Sequence, residues 1–128
     1  QVVGDSPRIV LDGGHNPAAM TSAGATLRQL IGDERLVTVF AMLSERDPVQ
    51  LLGALKTLRP DAAVFTEPAS AGTHAVAAGH LAELYGPGAH AIRPAPAAVD
   101  AAKEIAGRDG TVLVCGSLYL VGEILAAL

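Results

Sequence analysis

Tryptophan is missing from this chain, and phenylalanine and tyrosine together make up only 3% of its 128 residues. A core without large rings has to be assembled from Ala, Val, Leu and Ile, which favours helices laid closely on a sheet. Basic residues are scarce as well: nine Lys and Arg face thirteen Asp and Glu, for a formal charge of −4. They are scattered, so the chain lacks the basic stripe that tracks a phosphate backbone, and nucleic acid is not expected as a partner. A single cysteine, Cys115, rules out an intrachain disulfide and fits a reducing compartment. No uninterrupted apolar stretch reaches the roughly 20 residues needed to cross a bilayer. Gln1 to Arg8 is too polar and turn-rich for a signal peptide. The expectation is a soluble, cytoplasmic monomer with no membrane partner.

Half of the residues are apolar, ample for one core, and the length fits a single domain, 1–128. The most informative stretch is Leu11-Asp12-Gly13-Gly14-His15-Asn16-Pro17. Arg8 to Leu11 reads as a buried strand, and Pro17 opens a helix, a position that suits proline. Asp12 and His15 thus stand at the carboxyl end of a strand. In doubly wound folds that edge forms the ligand crevice, because strand ends and helix starts leave backbone N–H groups and loop side chains available. A plainer reading also exists: a βα turn wants glycine, and Asn16 can serve as a helix cap.

Along the chain, Gln1 to Pro7 reads as a lead-in segment without periodicity. The helix after Pro17 carries Met20, Ala23, Leu27, Leu30 and Ile31 at helical spacing and ends at Gly32-Asp33. Leu36 to Met42 is a short β-branched run, the pattern of a strand covered on both faces. Val49, Leu51, Leu52, Leu55 and Leu58 then mark a helix, a third strand spans Ala62 to Thr66, and a helix runs from about Thr73 to Tyr85. Ala89 to Ile92 is a weak strand, Ala97 to Ala106 an Ala-rich helix, Thr111 to Cys115 the clearest strand, and Leu118 to Leu128 the last helix. Such alternation predicts a Rossmann-like three-layer αβα domain on a mostly parallel sheet of five to six strands.

All the polar βα loops then share one edge: Asp12 to Asn16, Ser44 to Asp47, Thr66 to Ser70 and Gly116 to Tyr119. Asp12 can bond a ribose hydroxyl or cap its own loop, and His15 can donate to a phosphate or simply be solvated. Arg46 can grip a carboxylate or phosphate bidentately, or pair with Glu45 or Asp47. Behind Ser117 a helix amino terminus suits a carboxylate, although a plain N-cap explains the serine equally well. Cys115 reads as a buried apolar residue, and His74, His80 and His90 lack metal-ligand spacing. No Gly-x-Gly-x-x-Gly follows the first strand, and no Gly-x-x-x-x-Gly-Lys-Ser/Thr occurs anywhere. Their absence argues against a self-sufficient dinucleotide enzyme or P-loop ATPase.

Three segments together carry a resemblance: Leu11-Asp-Gly-Gly-His-Asn-Pro17, Val39-Phe-Ala-Met-Leu43 with Arg46-Asp47, and Val112-Leu-Val-Cys-Gly-Ser-Leu-Tyr-Leu-Val-Gly-Glu123. They resemble the carboxy-terminal domain of folylpolyglutamate synthase and dihydrofolate synthase, in the Mur ligase superfamily. Nearly the whole chain is covered. The last run is the most specific, having no evident structural reason to recur. Gly14 replaces the family's alanine, Arg46 stands where lysine is usual, and Ala71-Gly72-Thr73 replaces a frequent third-loop arginine.

The resemblance implies an ATP-dependent ligase, in which a folate or pteroate carboxylate is phosphorylated and the resulting acyl phosphate is attacked by the amino group of L-glutamate. It also implies a fragment of a larger enzyme, lacking the amino-terminal P-loop ATPase domain that chiefly binds ATP and Mg. Asp12, Gly13, Gly14, His15 and Asn16 would contact ATP on closure. Ser117, Leu118, Tyr119 and Arg46 would lie near glutamate. No catalytic residue and no metal ligand is expected in this domain, and none of the turnover is expected from it alone. Two other classes compete. One is a stand-alone flavodoxin-like binding or regulatory module, which would have no use for the Gly116–Glu123 run. The other is a serine hydrolase built on Ser117, which lacks the Gly-x-Ser-x-Gly elbow.

Overall fold

Residues 1–128 are described by a computed structural model, the side chain of Asp5 excepted. The elements run β1 (Val2–Asp5), β2 (Arg8–Leu11), α1 (Pro17–Ile31), β3 (Leu36–Phe40), α2 (Pro48–Thr57), β4 (Ala62–Phe65), a 3-10 segment (Ala69–His74), α3 (Ala78–Tyr85), β5 (Ala89–Ala91), α4 (Ala95–Ala106), β6 (Thr111–Cys115) and α5 (Leu118–Ala127). One six-stranded sheet has the order β1-β2-β6-β3-β4-β5. Only β1 is antiparallel to its neighbour. The expected three-layer αβα architecture is the one that forms.

Each central strand is apolar on both faces because helices cover both. In β3, Leu36 and Phe40 join Met20, Leu27, Leu51, Leu55 and Leu81 from α1, α2 and α3. Val37 and Val39 join Ala98, Val99, Ala102, Leu120 and Ile124 from α4 and α5. The few rings sit together: Phe40 meets Phe65 edge-on with centroids 5.8 Å apart, and Phe65 meets Tyr85 at 5.4 Å. The last strand, β6, inserts between β2 and β3. Loops from the first and last quarters of the chain therefore meet beside the loop after β3.

Three sequence expectations change. Gln1 to Pro7 is not a lead-in: Val2–Asp5 pairs with β2, with Val2 opposite Val10 and Gly4 opposite Ile9. An antiparallel edge strand needs no continuous apolar run, so two valines before a turn suffice. The helix expected from Thr73 starts only at Ala78. Before it, Gly72 takes a left-handed φ of 56°, Ala75 bridges to Leu43, and the amides of Ser44 and Val76 donate to the carbonyls of His74 and Met42. Those backbone groups extend the sheet edge instead of a helix. Finally, Leu30 and Val49 are solvent-exposed. The buried face of α1 runs Met20, Gly24, Leu27, Ile31, and a Cβ on Gly24 would stand 2.6 Å from the Leu58 side chain.

Candidate functional site

The four βα loops do share one edge, and each is held by its own side chains. In the first, Asp12 stays in the sheet by donating its amide to the Val114 carbonyl, while its Oδ1 accepts from the Gly14 amide at 2.8 Å. His15 Nδ1 lies 3.3 Å from the Gly13 carbonyl oxygen. With Nδ1 turned to that carbonyl, Nε2 is the ring nitrogen left for a partner. Asn16 Oδ1 caps α1 by accepting from the Ala19 amide at 2.8 Å.

The second loop is a turn closed by the Arg46 amide on the Leu43 carbonyl, with Asp47 capping α2 through the Val49 amide. Glu45 and Arg46 project from that turn and are exposed. Among the described residues neither forms an ion pair, so the alternative of an Arg46 salt bridge to Glu45 or Asp47 is not realised. In the third loop Glu67 accepts from the Ala78 amide at 2.7 Å and pairs with Arg93 at 3.6 Å. Glu123 of α5 reaches across to accept from both the amide and the hydroxyl of Ser70, each at 3.2 Å.

The fourth loop turns on Gly116 at φ 98°, where a Cβ would collide with the Ala41 carbonyl oxygen and come within 2.7 Å of the Phe40 ring. Ser117 is buried, and its Oγ accepts from the amides of Tyr119 and Leu120 at 3.1 and 3.3 Å. Leu118 and Tyr119, at the first turn of α5, are exposed. The Gly116–Glu123 run thus has structural reasons after all: a turn only glycine allows, a cap, a core leucine at Leu120, and a clasp on the third loop. The Ser117 hydroxyl is committed to capping, which leaves a hydrolase nucleophile no support.

A cleft of about 150 Å³ opens among these loops, lined by His15, Leu43, Glu45, Arg46, Gly116, Ser117, Leu118 and Tyr119. It gathers five of the nine residues singled out from the sequence, drawn from three separate loops. Asp12 and Gly14 instead border a void of about 10 Å³ facing the core beside Met20, Leu113 and Cys115. At Gly13 the start of α5 comes close, since a Cβ there would stand 2.5 Å from the Leu118 side chain. A second cleft of about 250 Å³ adjoins the first through Leu43, Glu45 and Tyr119, and adds Ser70, Ala71 and His74. Glu45, Leu43 and His74 were not singled out beforehand. The only hint was the charged loop itself, since spacing does not tell which carboxylates remain free once the caps are formed.

Burial, with the nearby Asp12 charge adding to it, pushes the Cys115 thiol up to about 12. Cys115 is a packing residue, as its sequence setting suggested. Among the described residues no three His, Cys, Asp or Glu side chains gather as metal ligands, and no helix is long and apolar enough to cross a membrane.

Comparison with known proteins adds to this geometry. A family model described as "Mur ligase, glutamate ligase domain" matches residues 1–118. The dihydrofolate synthase/folylpolyglutamate synthase of Escherichia coli is 32% identical over 125 residues, covering 98% of this chain and 29% of that protein. Among solved structures, E. coli FolC in complex with DHPP and ADP superposes with a TM-score of 0.89 at 30% identity, over 99% of this chain and 30% of that one. The bifunctional folylpolyglutamate synthase/dihydrofolate synthase with Mn, AMPPNP and L-glutamate bound gives 0.88 at 31% identity, over 99% and 30%. The chain spans less than a third of the length of the curated relatives it matches.

Proposed function

The chain belongs to the Mur ligase family as its glutamate ligase domain, and from that premise we propose that it is the closing domain of an ATP-dependent ligase joining L-glutamate to a folate or dihydropteroate carboxylate. The observation that carries this reading is the cleft in which His15, Arg46 and the start of α5 converge from three loops. Arg46 offers a forked donor to a carboxylate, and the N-terminus of α5 presents positive dipole density beside it. A relative solved with a nucleotide analogue and L-glutamate bound supports glutamate as the amino acid that is joined.

In the reaction, a phosphoryl group passes from ATP to the acceptor carboxylate, the glutamate amine, its ammonium proton given up to solvent, bonds to the acyl carbon, and the carbon–oxygen bond to phosphate breaks as the nitrogen's second proton leaves with the phosphate. ADP, phosphate and an amide result. This chain contributes binding and exclusion of water, which protects an acyl phosphate from hydrolysis. On the nucleotide side, His15 Nε2 and the second carboxylate oxygen of Asp12 are the groups left available in the first loop. Gly13, Gly14 and Asn16 shape that loop, the two glycines by fitting against Leu118 and Ala19. Among the described residues no three His, Cys, Asp or Glu side chains gather, and no step is assigned to a metal ion on this chain. The domain that binds ATP and Mg is a partner supplied by the rest of the enzyme.

The test is glutamate-dependent ADP release with ATP and either dihydropteroate or tetrahydrofolate, comparing the full reading frame with residues 1–128 alone. Turnover by the full frame alone, with Arg46→Ala raising KM for glutamate by about tenfold, is the expected result. Glutamate-independent behaviour of the full frame would overturn the reading.

A further inference from the structure

Carboxylates are common on the ligand edge, and nearly all of them serve the backbone. Asp12 holds the Gly14 amide, Asp47 the Val49 amide, Glu67 the Ala78 amide, and Glu123 the Ser70 amide and hydroxyl. Glu45 is different. Among the described residues its carboxylate accepts no hydrogen bond and forms no ion pair, although its turn is fastened on both sides, by the Ser44 amide on the His74 carbonyl and by the Asp47 cap. It lines both clefts, standing in the wall they share.

We infer that Glu45 is the residue that recognises the ammonium group of the incoming amino acid, and so makes the site select an amino acid over a plain dicarboxylate. This rests on the ligase reading above. The groups of the first cleft that suit anions are Arg46 and the α5 N-terminus. Those groups alone would hold glutarate, which has both carboxylates of glutamate and no amine, as well as glutamate itself. A lone negative charge on the same wall changes the preference, because it attracts the ammonium and repels a ligand that carries only anions. Glu45 neighbours Arg46 on one rigid turn, so the pair presents opposite charges side by side, as the α-carbon of a zwitterion does. Its freedom from structural duties leaves the carboxylate available for the ligand.

The experiment uses the full-length enzyme, wild type and Glu45→Gln, with KM for L-glutamate and the inhibition constant of glutarate measured side by side. Glu45→Gln is expected to raise KM for glutamate about tenfold or more while glutarate inhibits as well as before or better. Since the Glu45 side chain supports no other group, the variant should melt with wild type, and Glu45→Asp should recover part of the selectivity. Equal changes for the two ligands, or no change in either, would overturn the inference. A wild-type enzyme without glutamate-dependent turnover sinks the ligase reading itself, and this inference with it.

Discussion

The Leu118 side chain at the first turn of α5 lies over Gly13 of the loop after β2, with its Cδ2 2.5 Å from where a Cβ on that glycine would stand. Two glycines at this edge therefore exist for different reasons. Gly13 faces the movable end of an exposed leucine, whereas Gly116 has a left-handed φ and faces a backbone carbonyl and a buried ring. Gly13→Ala should lower stability by less than about 1 kcal/mol, and Gly116→Ala by about 2–4 kcal/mol, from strain and overpacking together. Urea unfolding of the two variants distinguishes them; equal losses would contradict this account.

Arg28 ties the end of α1 to the end of α2. Its guanidinium donates to the carbonyls of Leu58, Arg59, Gly32 and Glu34 at 2.9–3.3 Å. Arg28→Lys keeps the charge but not the fork, so it should lose about 1–2 kcal/mol, close to Arg28→Ala. Chemical denaturation of both measures this, and a lysine variant as stable as wild type would show that charge alone suffices.

The buried Cys115 thiol makes stability depend on alkaline pH. Its folded value is raised to about 12 from an ordinary 9.0. The native state therefore keeps a proton that the unfolded chain releases, so the thiol's contribution is whole below pH 9 and is lost as pH rises towards 12. The slope approaches about 1.4 kcal/mol per pH unit in that window. Tyr85, raised by burial, adds in the same direction. Unfolding at pH 7 and pH 10 should show the decline, and Cys115→Ala should flatten it.

Glu123 clasps the third loop through Ser70. Glu123→Ala should increase hydrogen exchange at the Ser70 amide and loosen 69–74 while changing global stability by about 1 kcal/mol or less, because the contact is exposed. Unchanged protection at Ser70 would remove the clasp from the account.

Asn16 illustrates how a site residue and a cap can be confused. Its side chain caps α1 at the Ala19 amide, so Asn16→Asp should retain the fold and Asn16→Ala should cost about 1 kcal/mol. Loss of full-length turnover in the aspartate variant at unchanged stability would point to a direct ligand contact.

Much of the fold was legible because buried parallel strands must be apolar on both faces, as β3 and β6 are, and because Pro17 and Pro48 mark helix starts. The edge strand β1 and the segment before α3 were not. Their backbone groups find partners in β2, Leu43 and Met42, and no local pattern announces a non-local bridge. Of the residues lining the first cleft, His15, Arg46 and Ser117 could be read as candidates from loops at strand ends, while Leu118 and Tyr119 are named through the family resemblance. That Glu45 stays unpaired among the described residues could not be read locally, since it depends on which amides the other carboxylates take.

The amino-acid sequence by itself determined the layer architecture, the edge on which polar loops gather, and the family to which the chain belongs. Hydrophobic periodicity and turn chemistry act over a few residues and are written locally. Tertiary structure decided which side chains on that edge remain free. Insertion of β6 between β2 and β3 brings distant loops together. Competition among carboxylates for unsatisfied amides then commits Asp12, Asp47, Glu67 and Glu123 to the backbone and leaves Glu45 and Arg46 facing the cleft.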